Sequence, residues 1–306
     1  MIRPLVAALV VAVVGAVLSS SPARAAANDL NIAGLIHKKG AGEAACTVDG
    51  KLACDNAGFR ALVRELGLVM TPTSLQPAET TGQSGFDFGL DYTFHTMRFN
   101  EEYWHATRGI EERDVPLLMT IGASAHKGFV LPVPLTSEVD FGAQYLIDSS
   151  LVDIHGKVRV ALNEGFRFIP DLAIEAGISR MLGNNDLDLL TVSAGGQISK
   201  GFGIMGTFNL CPYVGYDSIW VNGSSRIIDT NPSDSGNVDD NAVFDIVPLG
   251  VNRMDRVSVG ARIIIAVVTI TGGLDMNFVD PVAGTNAGSD KADLLLQYSI
   301  RAGVTF

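Results

Sequence analysis

Residues 85–94 place Phe86, Phe88, Leu90, Tyr92 and Phe94 in one phase and Asp87, Gly89, Asp91 and Thr93 in the other. Successive side chains of a strand point to opposite faces, so this alternation predicts a strand with one apolar and one polar face. Five large apolar side chains on one face need lipid or a core to cover them. The end of the chain repeats the pattern, with Leu294, Leu296, Tyr298, Ile300, Ala302, Val304 and Phe306 in one phase and Gln297, Ser299, Arg301, Gly303 and Thr305 in the other. Strands of this length, apolar outward and polar inward, suit a membrane barrel.

Further segments share the phase. Residues 117–126 send Leu117, Met119, Ile121 and Ala123 outward and Thr120, Ser124 and His126 inward. Residues 137–148 and 151–163 form the clearest hairpin, joined by Ser149 and Ser150 as a two-residue turn. That turn puts Asp140 opposite Arg159 and Gln144 opposite His155, pairing complementary groups across the inner face. Strands follow at 171–180, 189–199 and 206–221, two more lie between 256 and 278 with a turn at 265–268, and the last is 294–306. Residues 222–245, rich in Ser, Asp, Asn and Gly, read as a long exposed loop, and 283–292 as the last loop. The fold class is therefore all-β, an antiparallel transmembrane β-barrel of about ten strands, within a range of about eight to twelve. The longer connections then fall at one end and the short turns at the other, as such barrels require. The inward phase assigns Glu138, Asp140, Gln144, Asp153, His155, Lys157, Arg159, Glu175, Arg262, Asp275 and Arg301 to the lumen wall.

A final strand of this kind, closing on Phe306 with Tyr298, Ile300 and Val304 in the same phase, resembles the terminal assembly signal of Gram-negative outer-membrane β-barrel proteins. The resemblance implies the outer membrane as location, with outer-membrane lipid and the barrel assembly machinery as partners. The start of the chain agrees: Arg3, an apolar run from Leu5 to Leu18 and the small residues Ala23 and Ala25 read as a secretory signal peptide over residues 1–25. The run is too short for a spanning helix, which needs about 20 apolar residues.

Loss of Arg3 and Arg24 would leave 20 basic residues against 33 acidic ones, which disfavours nucleic-acid binding. Beyond the signal region no apolar run reaches the roughly 18 residues of a transmembrane helix, whereas a barrel hides its apolar residues in alternation. Cys46 and Cys54, eight residues apart in an exported chain, read as a local disulfide, and Cys211 as a small buried hydrophobe. No spacing matches a metal, phosphate-loop or dinucleotide site, so no metal and no cofactor is expected.

Residues 26–83 differ from the rest. Phe59, Leu62, Val63 and Leu66 lie on one face of a short helix over 56–67, with Asp55 as N-cap and Gly67 as C-cap. A helix of that length is marginal alone and must dock on the barrel. Preceding strand one, the segment would start on the periplasmic side, either as a plug folding up into the lumen or as a periplasmic cap. The barrel proper spans 84–306.

Three functional readings follow. A ten-stranded barrel has a narrow lumen, which suits a conduit or binding barrel for a small-molecule solute. A structural or surface-adhesion barrel without transport is the alternative. A third reading is a hydrolase at the outer rim, using His95, His105, Glu101, Glu102, Asp148 and Asp217 as an acid–base set. The solvated charged loop is the simpler account of that set, so no catalytic residue is assigned.

Overall fold

A computed structural model describes residues 28–107, 117–130, 135–204, 208–234, 236, 238–250, 252–279 and 293–306. The signal region 1–25, the loop 283–292 and residues 108–114 of the charged stretch after strand one lie outside them. Ten long strands run antiparallel in chain order: β1 (Phe86–Thr96), β2 (Leu117–Val130), β3 (Thr136–Leu146), β4 (Val152–Asn163), β5 (Asp171–Leu182), β6 (Leu187–Ser199), β7 (Phe208–Ser225), β8 (Arg253–Ile265), β9 (Val268–Val279) and β10 (Asp293–Thr305). β7 pairs with both β6 and β8, and β10 pairs with β1, so the sheet closes on itself. Closure leaves no long free edge, which is what a sheet in lipid requires.

The outer face is apolar around the circumference. Leu90, Phe141, Ile154, Ile178 and Ile300 are each between 48% and 67% exposed. An apolar surface of this extent cannot face water, since soluble monomers keep such patches to a few hundred Å². The inner face carries the polar phase of each strand. The fold is a transmembrane β-barrel of the outer-membrane type.

Phe86 and Phe306 exchange backbone hydrogen bonds of 2.7 and 2.9 Å, fixing the start of β1 and the end of β10 at one end of the barrel. The connections at this short-turn end are 131–135, 164–170, 200–207 and 266–267. Those at the opposite, long-loop end are 97–116, 147–151, 183–186, 226–252 and 280–292. The β8–β9 connection is a two-residue turn at Ala266 and Val267, with Ala266 at φ 54°. A non-glycine residue pays about 1–2 kcal/mol in that region, and with neither Gly nor Asn there the turn carries no compositional mark.

Four expectations need correction. The β3–β4 register is offset by two residues: Asp140 faces Lys157, Glu138 faces Arg159, Gln144 faces Asp153, and His155 faces Gly142. The loop is longer than Ser149 and Ser150, because the Leu146 amide donates to the Leu151 carbonyl and Asp148 adopts φ 57°. The strand β7 runs on to Ser225, and the following loop is not simply exposed: Phe244 is buried and stacks on Phe59. The helix α1 spans Asn56–Met70, capped at its start by Asp55 but not ended by Gly67. Instead Gly67 lets the helix pass the wall, since a Cβ there would lie 2.6 Å from Val221.

The fourth correction concerns the place of residues 28–55. They lie at the long-loop end, opposite the start of β1. The Asn28 amide donates to the Asp148 carbonyl and the Asn31 amide to the Thr107 carbonyl. A hairpin of strands Ile36–Lys38 and Leu52–Cys54, closed by the Cys46–Cys54 disulfide, leans on the 226–252 loop through the Thr47–Ala242 bridge. The helix α2 (Glu102–Thr107) completes this cap.

Candidate functional site

The lumen is the one interior in which the sequence concentrates polar side chains, and the chain itself fills it. From Ala61 to Met70 every residue of α1 is buried, on all sides of the helix, because it stands inside the barrel mouth. Leu62, Leu66, Trp104, Leu118, Leu146 and Val221 belong to one apolar cluster there. Within it sits one carboxylate, Glu65, fully buried. It accepts from the Tyr103 hydroxyl at 2.6 Å, from the Trp104 indole at 2.7 Å and from the Arg98 guanidinium. Burial, then the Glu65 charge, pushes the Tyr103 phenol far above its ordinary range.

A helix leaves its last four carbonyls without partners, and in a buried helix they must be met by something other than water. Here the barrel wall supplies most of the donors. Gln297 donates to the Leu68 carbonyl at 3.0 Å, Gln144 to Val69 at 2.9 Å and Ser179 to Met70 at 3.0 Å. The Gly67 carbonyl is met by the Thr71 hydroxyl at 2.7 Å. Side chains from three strands thus form the C-terminal cap of α1.

Residues 71–85 then descend through the lumen to β1. The Ser74 hydroxyl donates to Glu175 at 2.9 Å and accepts from Gln197. Arg159 donates to the Gln76 side chain at 2.7 Å, the Ala78 amide donates to Ser199 at 3.0 Å, and the Thr81 amide to Glu138 at 2.9 Å. Near the short-turn end Arg262 pairs with Glu79 at 2.6 Å, and Thr80 donates to Glu164 at 2.9 Å. Among the described residues a cavity of about 40 Å³ lies beside Gln76, His126, His155 and Arg301, room for a few waters.

The residues read from the sequence as lumen-lining have these places in the structure. Glu138, Gln144, Asp153, His155, Lys157, Arg159, Glu175, Arg262, Asp275 and Arg301 are buried, and Asp140 is half-buried. The fold brings several together. Arg159 pairs with Glu175 at 2.8 Å and lies 3.5 Å from Glu138, and Lys157 lies 3.5 Å from Glu175. Arg301 binds Asp87 at 2.6 Å and Asp91 at 3.0 Å. His155 sits 3.3 Å from Asp153. Asp275 faces Ser258 across to β8, and one of its buried oxygens has no hydrogen-bond partner among the described residues. Tyr298, Ile300, Val304 and Phe306 lie on the opposite, lipid-facing side, all substantially exposed.

Several of these charges are seated against glycines on the neighbouring strand. A Cβ added at Gly142 would lie 2.3 Å from His155, at Gly89 2.6 Å from Arg301, at Gly177 2.8 Å from Lys157 and at Gly195 2.1 Å from Asp217. Alternating small and large interior residues let a narrow barrel hold bulky polar groups.

The sequence reading did not single out the Asp217–Arg256 pair, 3.2 Å apart and buried, nor the role of Gln297 and Ser179 as helix caps. Asp217 had been grouped with the outer rim, but its register opposite Gly195 and Arg256 puts it inside the lumen. His95 also points inward, bonded to Thr120 at 3.0 Å and Gln297 at 2.9 Å, whereas His105 is exposed on α2 and Asp148 sits in the β3–β4 loop. The rim set is therefore not assembled. Ser124, His126 and Glu138 stand in a row at 3.4 Å steps, in the order of a nucleophile, a base and an orienting acid. Those steps exceed the roughly 2.6–3.2 Å of an activating contact, and Ser124 is already engaged by Asp91 and Arg301. Among the described residues no group of three or more His, Cys, Asp or Glu side chains is placed to hold a metal ion.

No family model matches the chain, and no curated protein matches it. Among solved structures it is similar to Ail, the attachment invasion locus protein of Yersinia pestis, at 10% identity over 73% of this chain and 99% of that one, with a TM-score of 0.26. Neisserial surface protein A is similar at 11% identity over 73% and 98%, with a TM-score of 0.27. LpxR from Salmonella typhimurium is similar at 11% identity over 71% and 99%, with a TM-score of 0.33. Likeness at this level concerns the barrel, not an activity.

Proposed function

We propose that this chain is an integral outer-membrane barrel that works sealed, anchoring and presenting a folded cap at one mouth, and is not an open conduit. One observation carries the reading: residues 61–85 occupy the lumen from mouth to base, leaving a cavity of about 40 Å³. Such filling argues against passage of a solute larger than water. The cap, built from residues 28–55, α2 and the 226–252 loop, is the surface such a barrel offers to a partner.

The test is planar-bilayer conductance of the chain beginning at Ala26 beside a version lacking residues 26–83. The whole chain is expected to be silent. Steady conductance by the whole chain would overturn the sealed reading and favour the small-molecule conduit. Conductance by the shortened version alone is the expected sign that the segment is the seal. The charged wall supports that outcome as a second reading, because its ion pairs close largely among themselves and would line a hydrated path once the segment is absent.

A further inference from the structure

We infer that the barrel carries its own N-terminal region across the membrane, so that residues 28–55 stand on the cell surface while the buried part of α1 and the stretch 71–85 are left in the mouth and lumen. The inference rests on the lumen being filled by this segment, and adds the direction in which the segment runs and what the barrel does to put it there.

Sidedness comes first. Outer-membrane barrels keep short turns on the periplasmic side and long loops outside. No connection at the end where β1 starts exceeds eight residues, whereas the long connections 97–116 and 226–252 lie at the other. The cap is bonded to that outer end by Asn28 to Asp148, Asn31 to Thr107 and Asp49 to Asp239. A chain delivered from the periplasm must therefore bring residues 28–55 to the far side. The stretch that joins them to β1 runs inside the barrel, so the lumen is the route.

The stretch and the wall both suit passage. Residues 71–85 are Thr, Pro, Ser, Leu, Gln, Ala, Glu and Gly, with Glu79 as the sole charge. The wall leaves space where the stretch comes closest: a Cβ at Gly128 would lie 2.0 Å from the Gly82 carbonyl oxygen, and one at Gly273 would lie 3.0 Å from Leu75. Wall charges such as Arg301 with Asp87 and Arg256 with Asp217 are paired with one another, so a passing chain need not carry matching charges. The cap itself holds together only at the far end, where α1 meets α2, Phe244 and the loops. Folding there would hold the segment once it has emerged. A segment fused ahead of Asn28 would follow the same path.

The experiment uses the full chain in intact Gram-negative cells. A short epitope is inserted between Ala41 and Gly42, an exposed turn where Gly42 has φ 88° and open space around it. A second variant, Phe168→Cys, places a thiol on the short-turn end at a position 88% exposed. Barrel folding of both is checked by heat-modifiable gel migration. The expected result is antibody binding to the epitope on intact cells, not increased by permeabilising the outer membrane, with Phe168→Cys reacting with a membrane-impermeant maleimide only after permeabilisation. An epitope reached only after permeabilisation, in a barrel that migrates as folded, overturns the inference. So does labelling of Phe168→Cys on intact cells, which would reverse the barrel. Conductance by the whole chain in a bilayer would refute the sealed reading while leaving the epitope result to stand on its own.

Discussion

Residues 59–70 and residues 71–85 fill the same lumen with one continuous chain, yet they are held by different physics. The upper part is a helix packed all round by apolar side chains, with one buried carboxylate at its centre and its terminal carbonyls met by Gln144, Gln297 and Ser179. The lower part has no helix, little apolar contact and a chain of single hydrogen bonds to the wall, from Ser74 down to Thr81. Apolar burial stabilises by roughly 25 cal/mol per Å² removed from water, whereas a typical hydrogen bond adds about 1 kcal/mol net. The mouth therefore anchors the segment, and the lower lumen sets where it lies.

The most damaging single change should fall in the mouth. Glu65→Ala takes the acceptor from the Tyr103 hydroxyl and the Trp104 indole in the buried mouth and removes the carboxylate that Arg98 binds, a loss of about 3–5 kcal/mol for a broken buried pair. The barrel should still migrate as folded while protease cuts the cap, and a cap as resistant as the original would remove the anchor from the mouth. Lower in the lumen, Gln76→Ala takes one acceptor from Arg159, which keeps Glu175, and should cost about 1 kcal/mol in the same assay. Equal losses for the two variants would break the contrast between the halves.

The smallest expected effect lies outside the barrel, at Asp49. The Lys51 amide, the Thr47 hydroxyl and the Lys51 ammonium hold its carboxyl at about 2, below the ordinary 3.8. A carboxyl depressed by folding stabilises the hairpin fully above the ordinary value and loses that contribution as the pH falls through about 2. Proteolysis of the hairpin should rise over that acid range, and Asp49→Asn should flatten the rise. An unchanged acid profile in the variant would assign the response to another group.

The strands were legible in the sequence because lipid outside and a polar lumen inside force period two on each of them. Register was not legible. Glu138 and Asp140 face Arg159 and Lys157 respectively, so an offset of two residues keeps the charges complementary and every side chain on its own face. Only the left-handed Asp148 separates the two registers, and alternation says nothing about loops. The internal segment was hidden for another reason. Leu68, Val69 and Met70 follow a glycine and read as the end of a helix, and the partners that extend it, Gln144, Ser179 and Gln297, are remote in sequence. The rim grouping failed at Asp217 because β7 runs on to Ser225, which moves its outer end away from Asp217 and leaves that residue midway along the wall.

The glycines opposite the lumen charges have a consequence for transplanting this interior. Arg301, His155, Lys157 and Asp217 each occupy volume that the neighbouring strand yields by having no side chain at Gly89, Gly142, Gly177 and Gly195. Grafting the charged residues alone onto another ten-stranded barrel would leave them nowhere to lie, so the unit that must be copied is the pair, a charge together with its vacancy. Gly142→Ala would accordingly displace His155 without altering any ionisable group.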